Sequence, residues 1–557
     1  MEKKWWHKTV GYQIYPKSFQ DTNGDGIGDL KGVIRHLDKI EKLGANVIWL
    51  CPVFASPMVD NGYDISDYMD IDPSFGTMED MKELIAEAKK HGIRILMDLV
   101  VNHSSDQHAW FQAALKDPFG KYGKYYVFRE GKDGKEPNNW RSIFGGSAWE
   151  KVPGYDNLYY LHIFTKEQPD LNWENQELRE EIYEMILKWM DLGLGGFRLD
   201  AISHLKKNYQ YTNLPPDGPD EYNMAFEYFN NVDGLADILR EMKERTFAPT
   251  DALTIGEYDH MGPEDVENVI GENGSFSSVF DFCHTFDNVR NPKWGNTVAL
   301  FDDYRDQLFA AQKIVDGRGM LCNFLENHDK PRSIDRFLMP EDQNRYSEKM
   351  LPVTNFFLPG IVFLYQGQEI GMRNFKARSI EEFDDLNTKD QYELALRMSC
   401  TEQEALTCCN RMSRDNARRP MQWNAEDNAG FTTGTPWLKV NPDYTKINVQ
   451  VQESDPDSVL NYYRKLTALR KDPRYVQTFT YGRFVPVRER IPEQVLAYLR
   501  EDEQQKILVL GNWSEQTMKV SLENDVKEVL LNNQKAFRIN EKGQVELQSC
   551  QALVLLL

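Results

Sequence analysis

The sequence predicts an α/β fold: a (β/α)8 TIM barrel with an inserted loop-rich subdomain and a C-terminal antiparallel β-sandwich. Short apolar runs alternate with amphipathic helical stretches over most of the chain, the signature of a parallel sheet with helical crossovers. The alternation fails once, between residues 103 and 168, and stops after residue 481. At 557 residues the chain exceeds one ordinary domain and suits a barrel with an insert and a small extra domain.

Val47-Ile48-Trp49-Leu50 and Ile93-Arg94-Ile95-Leu96-Met97-Asp98 read as buried strands, apolar runs too short for a helix. Between them, residues 78–91 have helical periodicity and end at Gly92, a C-terminal stop. The pattern resumes with a helix over 177–192 and a strand over 196–199, then strands at 253–256, 321–325 and 361–365. The 103–168 stretch, rich in Gly, Asn, Tyr, Trp and Lys, reads as an irregular insertion. Beyond residue 481, the runs 495–499, 507–510 and 552–557 are strands without intervening helices. The expected division is a barrel from 1–103 and 170–480, an insert at 104–169 and a β domain at 481–557.

The net charge of −22 argues against nucleic acid and anionic membranes as partners, and disfavours a phosphorylated substrate. Abundant Trp and Tyr suit a site that stacks on neutral sugar rings, so the expected partner is a small neutral oligosaccharide. Seven cysteines lack metal-ligand spacing, and Cys408-Cys409 is the one close pair. No secretory signal precedes Trp5-Trp6 and no apolar run reaches membrane-spanning length. These features predict reduced thiols in a cytoplasmic protein, monomeric or homodimeric, without a membrane partner.

Chemistry concentrates at strand ends, which converge on one site in such a barrel. In Gly196-Phe197-Arg198-Leu199-Asp200, Arg198 and Asp200 project to the same side, and an arginine beside a carboxylate favours its ionised form. Alone, such a pair also serves as a structural ion pair. It is accompanied by Asp98 with Asn102 and His103, by Glu257, and by His328 with Asp329. Three carboxylates with histidines and no cysteines suit glycosidic cleavage. Asp200 fits the nucleophile. Glu257, near other acids, fits the acid/base with a raised pKa. Asp329 fits the transition-state stabiliser, with His103 and His328 donating to substrate hydroxyls. No His-x-x-x-His pair supports a metal hydrolase.

The segments Asp98-Leu99-Val100-Val101-Asn102-His103, 196–200, Gly256-Glu257 and Asn327-His328-Asp329 resemble the ordered signature regions of the α-amylase superfamily of glycoside hydrolases. Gln168-Pro169-Asp170-Leu171-Asn172 resembles the marker of its oligo-1,6-glucosidase group. Trp5-Trp6, Tyr12 to Pro16, Asn61 to Asp64 and Ala417-Arg418 ahead of Pro420-Met421-Gln422-Trp423 point the same way. The resemblance covers nearly the whole chain. It implies a retaining exo-α-glucosidase for short α-glucosides, with no organic cofactor, and Asp60, Tyr63 and Arg418 holding the terminal glucose in a pocket closed at one end.

Three departures stand out. Arg419 takes the place of the family's usual Thr, and Tyr258-Asp259-His260 is not the usual segment after the acid/base. Ala201 follows the nucleophile where α-1,6-preferring members commonly carry Val. Less bulk beside the leaving-group site predicts relaxed or α-1,4-capable linkage specificity.

Asp21, Asn23, Asp25 and Asp29 supply oxygens at alternate positions of a glycine-rich loop, the pattern of a hard-cation site. Gly32 stands at the twelfth position where an EF-hand has Glu, and a hydrogen-bonded Asp/Asn/Gly turn reads the same residues. The resemblance implies a structural Ca2+ held by these four and the Ile27 carbonyl. The 144–149 loop lacks the Lys-Ser/Thr of a phosphate cradle, Lys206-Lys207 reads as a solvated face, and Glu369 as structural.

The nearest rival is a sucrose isomerase or transglucosylase on the same scaffold. Residues 330–336 contain arginines but not that group's Arg-Leu-Asp-Arg string. Trehalose-6-phosphate hydrolysis lacks a basic phosphate site. A non-catalytic amylase-like binding protein, like the ectodomains of amino-acid transporter heavy chains, would have lost the acids retained here.

Overall fold

A computed structural model of the chain describes residues 3–218, 220–258, 261–271, 273–282, 301–541 and 543–557. Asp259 and His260, part of the unusual segment after Glu257, lie outside the described residues.

Eight parallel strands form the central sheet: β1 (Val10–Ile14), β2 (Val47–Leu50), β3 (Arg94–Leu99), β4 (Gly196–Leu199), β5 (Leu253–Tyr258), β6 (Ser278–Asp281), β7 (Cys322–Asn323) and β8 (Ile361–Tyr365). Their order is β6-β5-β4-β3-β2-β1-β8-β7. The two end strands lie against each other, Ser278 Oγ donating to the Met320 carbonyl at 2.8 Å, which brings the barrel close to closure. The strands are apolar because helices and barrel interior cover both faces: β1, β2 and β8 are buried throughout. At Gly196 (φ 144°) a Cβ would meet the Leu253 carbonyl oxygen at 1.9 Å, so only glycine allows β4 and β5 to approach this closely.

The helices obey their local signals. Met78–Lys90 starts with a capping box, Thr77 Oγ1 accepting from the Asp80 amide and Asp80 Oδ2 from the Thr77 amide, and buries Met81, Leu84, Ile85 and Ala88. It ends at His91, with Gly92 at φ 67°. Gln176–Asp191 is capped by Asn175.

The irregular stretch after β3 contains a three-stranded antiparallel sheet of Phe128–Glu130, Leu158–Leu161 and Trp149–Lys151. The loop that follows β4 joins it, which the sequence pattern did not announce. Trp140 Nε1 donates to the Thr212 carbonyl at 3.1 Å, Arg141 pairs with Asp217 at 2.7 Å, and Trp140, Trp149, Ala225 and Phe229 share one apolar cluster. At the C-terminal end, sheets of five and three antiparallel strands enclose Val495, Leu508, Leu510, Val520, Val545, Leu553 and Leu555, the sandwich expected. Among the described residues no helix is long and apolar enough to cross a membrane.

Candidate active site

Strand register assembles the site. Asp98 pairs with Arg198 across β3 and β4, and Gly256 with Leu199 across β5 and β4, so Glu257 falls opposite Asp200. At this C-terminal face a pocket of about 350 Å³ is lined by Asp60, Tyr63, His103, Asp200, Ala201, Glu257, His328 and Asp329, all expected from the sequence. Ile143, Phe144 and Phe164 of the insert form one wall. Ser203, His204, Met224 and Phe226 of the joined loop form another, and Arg414 completes the lining.

Arg198, 1% exposed, is the hub. Its Nη1 donates to Asp98 Oδ1 at 3.0 Å and Asp200 Oδ1 at 2.5 Å, and Nη2 lies 2.7 Å from Glu257 Oε2. One guanidinium therefore serves three carboxylates rather than Asp200 alone. Burial pushes the Asp200 carboxyl well above the ordinary range, Arg198 pulls it down, and Glu257 and Asp98 push it up. Asp98 rises by the same burial to about 6, against Arg198. Ala201 is left-handed (φ 47°), which turns its N–H onto Glu257 Oε2 at 3.1 Å.

Asp329 has the opposite environment. Burial raises its pKa, but His328, Arg414 and Arg418 outweigh it and hold the carboxyl well below the ordinary range. Burial also holds His328 at about 3, so it is neutral at pH 7 and the two guanidiniums supply the lasting attraction. Gln13 Nε2 donates to His328 Nδ1 at 2.9 Å, which leaves the proton on Nε2, 2.6 Å from Tyr63 Oη and 3.1 Å from Asp329 Oδ2. Tyr63 O–H in turn donates to Asp98 Oδ2 at 3.0 Å. The chain from Gln13 to Asp98 thus locks His328 and Tyr63, stacked with centroids 5.4 Å apart, into the floor.

Elsewhere in the lining, Asp60 accepts from Gln168 Nε2 at 3.2 Å and lies 3.5 Å from Arg414; burial raises it to about 6, against Arg414 and Arg418. The sequence pointed to Arg418 for sugar binding. In the structure Arg418 stands behind the pocket, 1% exposed, donating to the His328 carbonyl at 3.0 Å and Asp329 Oδ1 at 2.9 Å, while Arg414 takes the lining position. Arg414 lines the pocket and Gln168 bonds Asp60, and neither was singled out for sugar binding. Gln168 was legible as part of the marker segment, and Arg414 opens the short turn Arg414–Asn416 just ahead of Arg418. Lys207, read as solvated, is 1% exposed and lies 3.5 Å from Asp170, whereas Lys206 pairs with Glu174 at the surface.

The 21–29 loop is closed by its own amides. Asp21 Oδ1 accepts from the Asn23 and Gly24 N–H groups, and Oδ2 from Gly26 N–H and Thr432 Oγ1. Four donors fill the acceptor positions of one carboxylate. Asp29 accepts from Gly32 and twice from Thr22, Asn23 from Asp25, and Asp25 from the Ile27 amide. As folded, Asp21 does not fit a cation. Among the described residues no group of three or more His, Cys, Asp or Glu could hold a metal ion.

A barrel with acids at its strand ends and a pocket lined by Tyr and His suits a glycoside hydrolase. Residues 13–479 match the family described as the alpha-amylase catalytic domain, and residues 495–554 the alpha-amylase SusG C-terminal domain; the chain belongs to the alpha-amylase family. It is 41% identical over 569 residues to the oligo-1,6-glucosidase of Parageobacillus thermoglucosidasius, covering all of this chain and 99% of that protein. Among solved structures it resembles the trehalose-6-phosphate hydrolase of Bacillus licheniformis (36% identity, TM-score 0.92) and the isomaltulose synthase of Klebsiella sp. LX3 (35%, 0.92). Both matches cover 100% of each chain.

Proposed function

We propose that this protein is a retaining, exo-acting α-glucosidase that releases glucose from the non-reducing end of isomalto- and malto-oligosaccharides. The observation that carries the reading is Arg198 holding Asp200 and Glu257 on neighbouring nitrogens of one guanidinium. Two carboxylates on one guanidinium come within reach of the about 5 Å spacing that a double displacement needs. Asp200 attacks the anomeric carbon while Glu257 gives its proton to the departing oxygen. Glu257 then takes a proton from the water that cleaves the β-glucosyl-aspartate. Asp329, kept anionic by Arg414 and Arg418, grips the sugar hydroxyls as the ring flattens. Asp60, Tyr63, His103, His328 and Arg414 close the pocket behind one glucose unit, and exo action follows.

The boundaries 1–103 with 170–480, 104–169 and 481–557 are proposed as catalytic barrel, insert and β domain. A cytoplasmic setting and a monomer or homodimer remain part of the proposal. Calcium in the 21–29 loop rests on residue pattern and resemblance, and the filled acceptors of Asp21 weigh against it. A melting temperature unchanged by EDTA decides for the hydrogen-bonded turn, and a fall restored by calcium decides for the ion.

The isomerase reading draws support from the isomaltulose synthase neighbour. Against it, Arg332 is turned into the core, donating to Glu326 at 3.0 Å and to the Gln366 and Ala417 carbonyls. The Lys206-Lys207 pair supplies no phosphate anchor either, since each lysine is committed to a carboxylate. The deciding experiment assays glucose release from maltose, isomaltose, isomaltulose, sucrose, trehalose and trehalose 6-phosphate by wild type and Asp200→Asn. Release from several disaccharides by wild type alone supports the glucosidase. Fructose-containing isomers without free glucose support the isomerase, and silence supports the binding protein.

A further inference from the structure

Lys207 has no place in the steps above, yet it is 1% exposed beneath the pocket. Its Nζ donates to Asn102 Oδ1 at 2.8 Å and lies 3.5 Å from Asp170 Oδ2, a carboxylate of 0% exposure. An ammonium has donors and no acceptor, so the atom facing it must be the amide oxygen of Asn102. The amide nitrogen is thereby turned the other way, and its two hydrogens go to Asp170 Oδ1 at 3.1 Å and His103 Nδ1 at 3.2 Å. His103 Nδ1 is then an acceptor, which in a neutral ring puts the proton on Nε2. Burial keeps the ring neutral, its pKa lowered to about 3. Nε2–H donates to the Tyr63 carbonyl at 2.9 Å, at the pocket wall. Gln168 Oε1 accepts from Thr165, so its Nε2 hydrogens go to Asp60 Oδ2 and the same carbonyl; its nitrogen also lies 3.1 Å from His103 Nε2, where with Nε2 protonated the two donors share the Tyr63 oxygen.

We propose that Lys207 is a positioning residue that sets the His103 tautomer through the Asn102 amide, so that at the pocket wall His103 holds the Tyr63 carbonyl with an N–H instead of facing it with a lone pair. Its kinetic consequence rests on the glucosidase reading; the tautomer does not. Nuclear magnetic resonance of protein labelled with ¹⁵N-histidine reads the tautomer directly, with His103→Gln assigning the His103 signals. Lys207→Met leaves Asp170 buried and unpaired, so Lys207→Met/Asp170→Asn is measured beside it to remove that charge. In wild type His103 is expected with Nε2 protonated and Nδ1 bare. In the double variant the Asn102 amide is free to flip, and the His103 shifts move towards a mixture of tautomers. The double variant is also expected to lose roughly 10- to 100-fold in kcat/KM on isomaltose, chiefly through KM. Unchanged His103 nitrogen shifts in a folded double variant overturn the proposal, whatever its activity. A wild type that releases no glucose overturns the glucosidase reading and leaves the tautomer test intact.

Discussion

Replacing Arg414 by methionine probes the side of the pocket beside Asp60, where geometry and sequence pattern part company. Arg414 lies 3.3 Å from Asp329, 3.5 Å from Asp60 and 2.5 Å from Asp385, a carboxylate only 1% exposed. Burial pushes Asp385 up, and Arg414 with Arg418 overcomes it, holding the group at about 2 against 3.8. That drop is worth about 2.5 kcal/mol. Breaking a buried pair from one side costs about 3–5 kcal/mol, so Arg414→Met should lose about 3 kcal/mol in urea unfolding. For an acid with a depressed folded pKa, the stability is fully present above the unfolded value and lost as pH falls through the folded one. The loss should therefore be complete at pH 5–8 and shrink only below about pH 4. Arg414 is also the one guanidinium among the described lining residues. Losing its charge-assisted hydrogen bonds, worth about 1.5–3 kcal/mol each, should lower kcat/KM on isomaltose roughly 10- to 100-fold. The assay pairs glucose release with urea titration. A folded variant with kcat/KM within about twofold of wild type would show that Arg414 only braces Asp385.

Ala201→Val should raise the isomaltose-to-maltose activity ratio. Because a β-branched residue is poorly tolerated at the left-handed φ of 47° found at Ala201, the substitution should also lower stability; an unchanged ratio refutes the specificity argument. Glu369, buried with Oε2 unpartnered and Oε1 accepting from Tyr12 at 2.7 Å, is pushed by burial from 4.5 to about 7. A carboxyl raised on folding stabilises least when ionised. Relative to Glu369→Gln, wild type should lose about 3 kcal/mol between pH 4.5 and 7 and no more above that. Equal pH slopes in the two proteins would refute it.

How much of this was legible follows from the residues. β4 and β8 fall where the apolar runs 196–199 and 361–365 put them, because strands buried on both faces leave an unbroken hydrophobic signal. β6 escaped notice: Ser278–Asp281 is four residues with one acid and one serine, and its position is set by pairing with β5. β7 was expected over 321–325 and is hydrogen-bonded over Cys322–Asn323 alone. The acids proposed as catalytic were readable as strand-end charges. The difference between Arg414 and Arg418 was not, since the turn that Arg414 opens decides which guanidinium lines the pocket. Arg198 looked like a private partner for Asp200, and only the register with Asp98 and the approach of Glu257 show it shared. Lys207 looked solvated because a lone cation carries no local sign of a carboxylate 37 positions earlier.

The central claim is a double displacement through Asp200, and the anomer first released tests it most directly. Proton magnetic resonance of a nitrophenyl α-glucoside digest should show α-glucose appearing before mutarotation, with none from Asp200→Asn. β-Glucose as the first product, or undiminished release by Asp200→Asn, would contradict the account.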